Sequence, residues 1–140
     1  MNCCANANGT PLVSESYVLD ASAVLCLLQE EKGAERVAEV LPDATIGAVN
    51  YSEVVAKLVE AGIEEATVGG LTERLQLNVV PFDRAQAGLA GALRSVTRRL
   101  GLSLGDRACL ALAAAEGATA LTCDRSWTKF DAPCKVELLR

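Results

Sequence analysis

The sequence predicts an α/β protein built on a mainly parallel sheet of four to five strands, with helices covering both faces. Three observations lead there. Short apolar runs at residues 17–20, 45–49, 77–82, 119–123 and 135–139 alternate with stretches of helical period, the order that joins parallel strands through helical crossovers. The run Ala108-Cys109-Leu110-Ala111-Leu112-Ala113 is apolar nearly all round a helix and so belongs between two packed layers. Finally, 140 residues with 51% hydrophobic composition suffice for one domain with a sizeable core and exclude a disordered chain.

Taken in order, residues 1–16 are small, polar and aperiodic, and are expected to form a flexible lead to a domain spanning 17–140. Tyr17-Val18-Leu19-Asp20 reads as a strand ending in a carboxylate. A helix follows from Ala21 to about residue 31, Gly33 interrupts it, and a second runs to about residue 41. Residues 45–49 form the next strand. Asn50 is expected to open a helix to about residue 61 with Val54, Val55, Leu58 and Val59 on its inner face, ended by Gly62. A weaker helix over 64–75 contains Gly69-Gly70. After the strand at 77–82, Asp83 caps a long helix to about residue 100 with Leu89, Leu93, Val96 and Leu100 inward and Arg94, Arg98 and Arg99 outward. Gly101 stops it, Ser103 opens the apolar helix, Gly117 ends that, and Asp124 stands at the end of the fourth strand. Residues 135–139 suggest a fifth, edge strand.

Composition removes several function classes. No apolar run is long enough to cross a bilayer, and the first 16 residues lack the basic start and apolar stretch of a signal peptide, so a soluble, cytoplasmic protein is expected. The six cysteines include no Cys-x-x-Cys pair, which speaks against a structural zinc site or a disulfide scaffold; Cys26 and Cys109 read as small core residues. With no histidine, neither a Ser-His-Asp nor a Cys-His mechanism is available. A net charge of -5 argues against broad, nonspecific nucleic-acid binding unless clustered acids are neutralised by a cation.

Four carboxylates are placed to meet. Ligand sites of open parallel sheets form beyond the carboxyl ends of the strands. Asp20 and Asp124 end strands, Glu53 lies early in the helix after the second strand, and Asp106 lies in the first turn of the helix before the fourth. Each has a plainer reading. Asn50-x-x-Glu53 and Ser103-x-x-Asp106 have capping-box spacing, and Asp20 and Asp124 suit turns. Together they are harder to dismiss, because two carboxylates 4 Å apart repel by roughly 4 kcal/mol at an effective dielectric of 20. A divalent cation relieves that repulsion, and oxygen-only ligands suit Mg²⁺ or Mn²⁺ and metal-assisted phosphodiester hydrolysis. Arg107, Arg125 and Lys129, with Arg94, Arg98 and Arg99, are candidate phosphate contacts beside the plainer reading of solvated charge. Cys123 is the thiol nearest this cluster, and Trp127 reads as a packing anchor.

These segments resemble a known family. Tyr17-Val18-Leu19-Asp20-Ala21-Ser22-Ala23, Asn50-Tyr51-Ser52-Glu53-Val54, residues 102–113 and Ala120-Leu121-Thr122-Cys123-Asp124-Arg125-Ser126-Trp127 are similar, in order and spacing, to PIN-domain ribonucleases, in particular VapC-type toxins of bacterial toxin–antitoxin pairs. The resemblance implies a three-layer α/β/α sandwich and a Mg²⁺- or Mn²⁺-dependent endoribonuclease acting on structured RNA such as tRNA or rRNA. It implies that Asp20, Glu53, Asp106 and Asp124 are the metal-binding, catalytic quartet, with Ser22, Asn50 and Thr122 supporting it. It also implies a VapB-type antitoxin as partner and a homodimer. The alternatives are a PIN-like nuclease in rRNA processing or on DNA, and a non-catalytic binding module on the same fold.

Overall fold

The computed structural model describes residues 15–140, so all but the end of the expected 1–16 lead, with Cys3 and Cys4, lies outside the described residues. The elements are β1 (Tyr17–Leu19), α1 (Ala21–Leu28), α2 (Ala34–Val40), β2 (Ala44–Gly47), α3 (Ala48–Glu60), α4 (Glu65–Arg74), β3 (Asn78–Val80), α5 (Arg84–Ala92), α6 (Arg94–Thr97), α7 (Leu104–Glu116), β4 (Thr119–Thr122) and β5 (Lys135–Leu138), with short 3₁₀ turns at Leu41–Asp43, Arg98–Leu100 and Arg125–Thr128.

All five strands are parallel, in the order β3-β2-β1-β4-β5. β1 is central, with Leu19 facing Ile46 on one side and Leu121 on the other. The chain builds outward from β1 through β2 and β3, then returns to the other side of β1 for β4 and β5. The switch point, where open parallel sheets place their ligands, is therefore the gap between the ends of β1 and β4.

Side-chain alternation along the strands divides the core into two layers. Tyr17, Leu19, Ile46 and Leu121 pack with α1, α2, α3 and α4 through Val24, Val37, Val54, Leu58 and Val68. Val18 and Ala120 face the other way, onto Leu93, Cys109, Leu110, Leu112 and Trp127. This is the expected three-layer sandwich. Trp127 has no exposed surface and anchors the turn after β4 inside the second layer, which leaves no ring face for a base to stack on.

Three local expectations are corrected. The helix over 83–100 divides into α5, α6 and a 3₁₀ turn. The hydroxyls of Ser95 and Thr97 donate to the carbonyls of Ala92 and Leu93, at 3.3 and 2.7 Å, and such back-bonding bends helices. Val96 and Val59, assigned inward, are exposed at 58% and 45%. Asn50 does not open α3; the helix begins at Ala48 with Gly47 as its N-cap, which frees the Asn50 side chain for another role.

Candidate functional site

The carboxyl edge of the sheet is built around Asp20. Its extended backbone makes it the N-cap of α1, and Oδ1 accepts from the Ala23 N–H at 2.8 Å. The Ser22 hydroxyl also donates to Oδ1, at 2.7 Å, and the Thr122 hydroxyl donates to Oδ2, at 2.6 Å. Thr122 reaches it because the β1–β4 register opposes Leu19 to Leu121, so the next residues on each strand stand side by side. Both hydroxyls also accept backbone N–H groups from the segment after β4. Cys123 donates to Ser22 Oγ and Asp124 to Thr122 Oγ1, each at 3.0 Å. With its oxygen accepting a backbone N–H, each hydroxyl directs its own hydrogen at Asp20, which fixes the carboxylate's orientation. Ser22 and Thr122 thus both hydrogen-bond the Asp20 carboxylate.

Asn50 joins the mouths of two helices. Its side chain is buried, Oδ1 accepts from the Ala21 N–H at 3.1 Å, and Nδ2 donates to the Gly105 carbonyl at 2.9 Å. One amide therefore holds the start of α1 and the start of α7 to α3. One helical turn along, the Glu53 carboxylate lies against the bare α-carbon of Gly105.

Asp106 occupies the third position of α7. The capping box forms: Oδ2 accepts from the Ser103 N–H at 2.8 Å, and the Asp106 N–H donates to Ser103 Oγ at 3.2 Å. Oδ1 has no hydrogen-bond partner among the described residues. The capping explanation therefore holds for Ser103 and Asp106 and fails for Asn50 and Glu53. Asp124 is exposed and caps the turn Arg125–Thr128, with Oδ1 accepting from the N–H and hydroxyl of Ser126 at 2.9 and 2.7 Å.

The acids feel one another. Burial pushes the Asp20 carboxyl up to about 6; its hydrogen bonds from Thr122, Ser22 and Ala23 pull the other way, and the charge of Asp106 adds to the rise. Glu53 is raised by burial and by Asp106, against Lys57. Asp106 is raised by burial and by Asp124, against the Ser103 bonds and Arg107. Asp106 is thus the charge to which each of the other three is coupled.

The basic candidates divide. Arg107 is half-buried, its Nη1 donates to the Ala90 carbonyl of α5 at 2.8 Å, and its buried Nε has no partner. Arg125 and Lys129 are exposed and form no ion pair among the described residues. The four described cysteines are free thiols, and burial raises Cys109 well above its usual range, as expected of a core residue. Two groups at this edge go unmarked in the sequence: Gly105 and the Ala21 N–H. Gly105 leaves a trace, since glycine within a helix is roughly 0.5–1 kcal/mol worse than alanine and invites a local reason.

A pH dependence follows. The Asp20 carboxyl binds its proton more tightly folded than unfolded, so ionising it costs stability. That cost is absent below the unfolded value of 3.8, grows as pH rises, and is complete above about 6, where it amounts to about 3 kcal/mol. Metal-free protein is therefore expected to melt at higher temperature at pH 5 than at pH 7.5, provided other groups are equal; the Asp20→Asn protein isolates the effect by flattening that slope.

Do these residues suit a divalent cation? Their chemistry does. The donors are carboxylates and hydroxyls, Asp106 Oδ1 has no partner among the described residues, and three of the four carboxyls are raised, first by burial and further by a neighbouring acid. As the side chains lie, no three acid or thiol groups among the described residues are grouped to hold one ion. Mg²⁺ asks less than that, since one or two carboxylates with water and substrate phosphate complete its shell.

Residues 17–133 match the family model of the PIN domain. No curated protein matches the sequence. Among solved structures, the fold is similar to a chain of DNA-bound VapBC from Salmonella typhimurium, with TM-score 0.71 and 16% identity over 91% of this chain and 100% of that one. It is also similar to a chain of VapBC2 from Rickettsia felis bound to a promoter DNA fragment, with TM-score 0.68 and 18% identity over 87% and 97%. A toxin–antitoxin complex from Klebsiella pneumoniae gives TM-score 0.66 and 20% identity over 86% and 99%. No helix among the described residues is long and apolar enough to cross a membrane.

Proposed function

Because the chain belongs to the PIN-domain family, we propose that it is a divalent-metal-dependent endoribonuclease, the toxin of a toxin–antitoxin pair, cleaving structured RNA such as tRNA or rRNA. The observation that carries this reading is the geometry at the switch point of the sheet, where Asn50 joins the starts of α1 and α7, Thr122 holds Asp20, and Glu53 lies over Gly105 beside Asp106. The similar folds from Klebsiella, Rickettsia and Salmonella support the toxin role and a VapB-type antitoxin as partner, and the cytoplasm is the place of action proposed with them. A homodimer is the assembly proposed with it.

Asp20 and Asp106 would hold Mg²⁺ or Mn²⁺, with Glu53 and Asp124 completing the quartet. When bound, the cation offsets the charge of the phosphodiester and makes water a better nucleophile at neutral pH. The chain's own residues supply the rest. Ser22, Thr122 and the Ala23 N–H keep the Asp20 carboxylate in one orientation. Asn50 holds the mouth of α7, and with it Asp106, against the mouth of α1. Glu53, its carboxyl raised by burial and by Asp106, is proposed to join the acids that face the cation. Arg125 and Lys129, free of ion pairs among the described residues, are proposed to meet phosphates at the rim.

One observation favours a different reading, a binding module without catalysis: Asp106 Oδ2 is already engaged by the Ser103 N–H. Mapping RNA ends after induced expression separates the two, with Asp106→Asn as the control. New 5′ ends that appear with the wild-type chain, vanish with Asp106→Asn and are lost in vitro with excess EDTA support the nuclease. Antitoxin binding with no new ends on any RNA supports the module.

A further inference from the structure

We infer that Gly105 is a positioning residue for Glu53: its missing side chain is the seat that admits the Glu53 carboxylate to the acid cluster. The inference rests on the nuclease reading for its functional consequence and on geometry alone for the seat. A Cβ built on Gly105 would lie 2.0 Å from Glu53 Oε1, 2.7 Å from Cδ and 3.1 Å from Oε2. All three atoms of the carboxyl group thus occupy space that any other residue would fill. Gly105 is in the helical region, with no positive φ to require glycine. Its neighbour Asp106 is the acid whose charge acts on Glu53.

The seat is gripped at two points. Asn50 and Glu53 lie one turn apart on α3, and both address Gly105. Asn50 Nδ2 binds its carbonyl at 2.9 Å, which sets the register of α3 against α7, and Glu53 then enters over the bare α-carbon. Gly105 itself is buried, so solvent does not supply the room. Elsewhere in the chain Gly69, Gly70, Gly88 and Gly91, also within helices, have nothing within 4 Å of a built Cβ. Gly105 is the helical glycine whose absent methyl is already occupied by a functional group.

Gly105→Ala tests this. The obstructing atoms are the far end of a flexible side chain, so the fold accommodates the methyl by turning Glu53 outward. Alanine is also the better helix former, so the melting temperature is expected to hold or rise. Three readouts are expected to move with Glu53. RNA cleavage falls by at least tenfold, Mn²⁺ binds several-fold more weakly, and the ¹³C carboxyl resonance of Glu53 shifts at fixed pH. In a Glu53→Gln background the same substitution is expected to cost nothing further, because the group it displaces is already disabled. An unshifted Glu53 resonance, or a Gly105→Ala loss that adds in full to Glu53→Gln, overturns the seat. If the wild-type chain cleaves no RNA and binds no Mn²⁺ while Gly105→Ala still shifts the resonance, the nuclease reading fails and the seat stands.

Discussion

Asp20→Asn is expected to lower RNA cleavage by ~10²-fold or more while raising the melting temperature of metal-free protein at pH 7.5. The two effects have opposite signs because one group causes both. As a carboxylate Asp20 is 4% exposed and ionises only against its surroundings, a cost of up to about 3 kcal/mol at neutral pH. An amide of the same shape removes that cost. Its oxygen still accepts from the Ala23 N–H and the Ser22 hydroxyl, while Thr122 turns its own hydrogen away to accept from the new NH₂, which offsets part of the gain. What the amide cannot supply is the negative charge proposed to hold the cation. Cleavage of a labelled RNA and thermal melts with and without Mg²⁺ check both halves. Equal cleavage by the two proteins would remove Asp20 from the metal site, and a lower melting temperature would mean that the ionised group stabilises the fold.

Asn50→Ala carries the second large effect, and its sign is the same for fold and activity. The substitution leaves the buried Ala21 N–H without a partner, which costs roughly 1–3 kcal/mol, and removes the second hydrogen bond of the Gly105 carbonyl, which keeps its partner within α7. A loss of about 2–5 kcal/mol, or roughly 10 °C in melting temperature, is expected. Because that amide also ties α7 to α1, surviving folded protein is expected to cleave more slowly even when assayed well below its melting temperature. Asn50→Asp keeps the acceptor for Ala21 but loses the donor to Gly105 and adds a fifth carboxylate, so it should not rescue. Wild-type stability in Asn50→Ala would show that water replaces both bonds.

The parts of this site that were legible in sequence are those set by chain direction. A carboxylate directly after an apolar strand run, as at Asp20 and Asp124, has to emerge at the carboxyl edge whatever the details of packing. Ser103 and Asp106 were legible as a capping box because that interaction is local, and the box forms. Asn50 was misassigned for the converse reason. Its capping-box spacing with Glu53 is a local signal, whereas its partners lie 29 and 55 residues away and appear only when α1 and α7 are packed against α3. The 83–100 segment kept a helical period across a break made by hydroxyl groups, which hydrophobic spacing does not register. Gly105 was hidden more deeply, since its role is the space it leaves for a side chain 52 positions earlier in the chain.

The pairing of β1 with β4 has a consequence for synthesis. Thr122 donates to Asp20 across a separation of 102 residues, and contacts so distant in sequence form late because the intervening chain must first be closed into a loop. A ribosome translating this chain exposes Asp20 first, 104 residues before Asp124. Until β4 has left the exit tunnel, the central strand has no neighbour on that side and the proposed quartet is short of a member. On the proposed function, a nascent chain that has not yet paired β4 with β1 lacks the assembled acids and is expected not to cleave RNA.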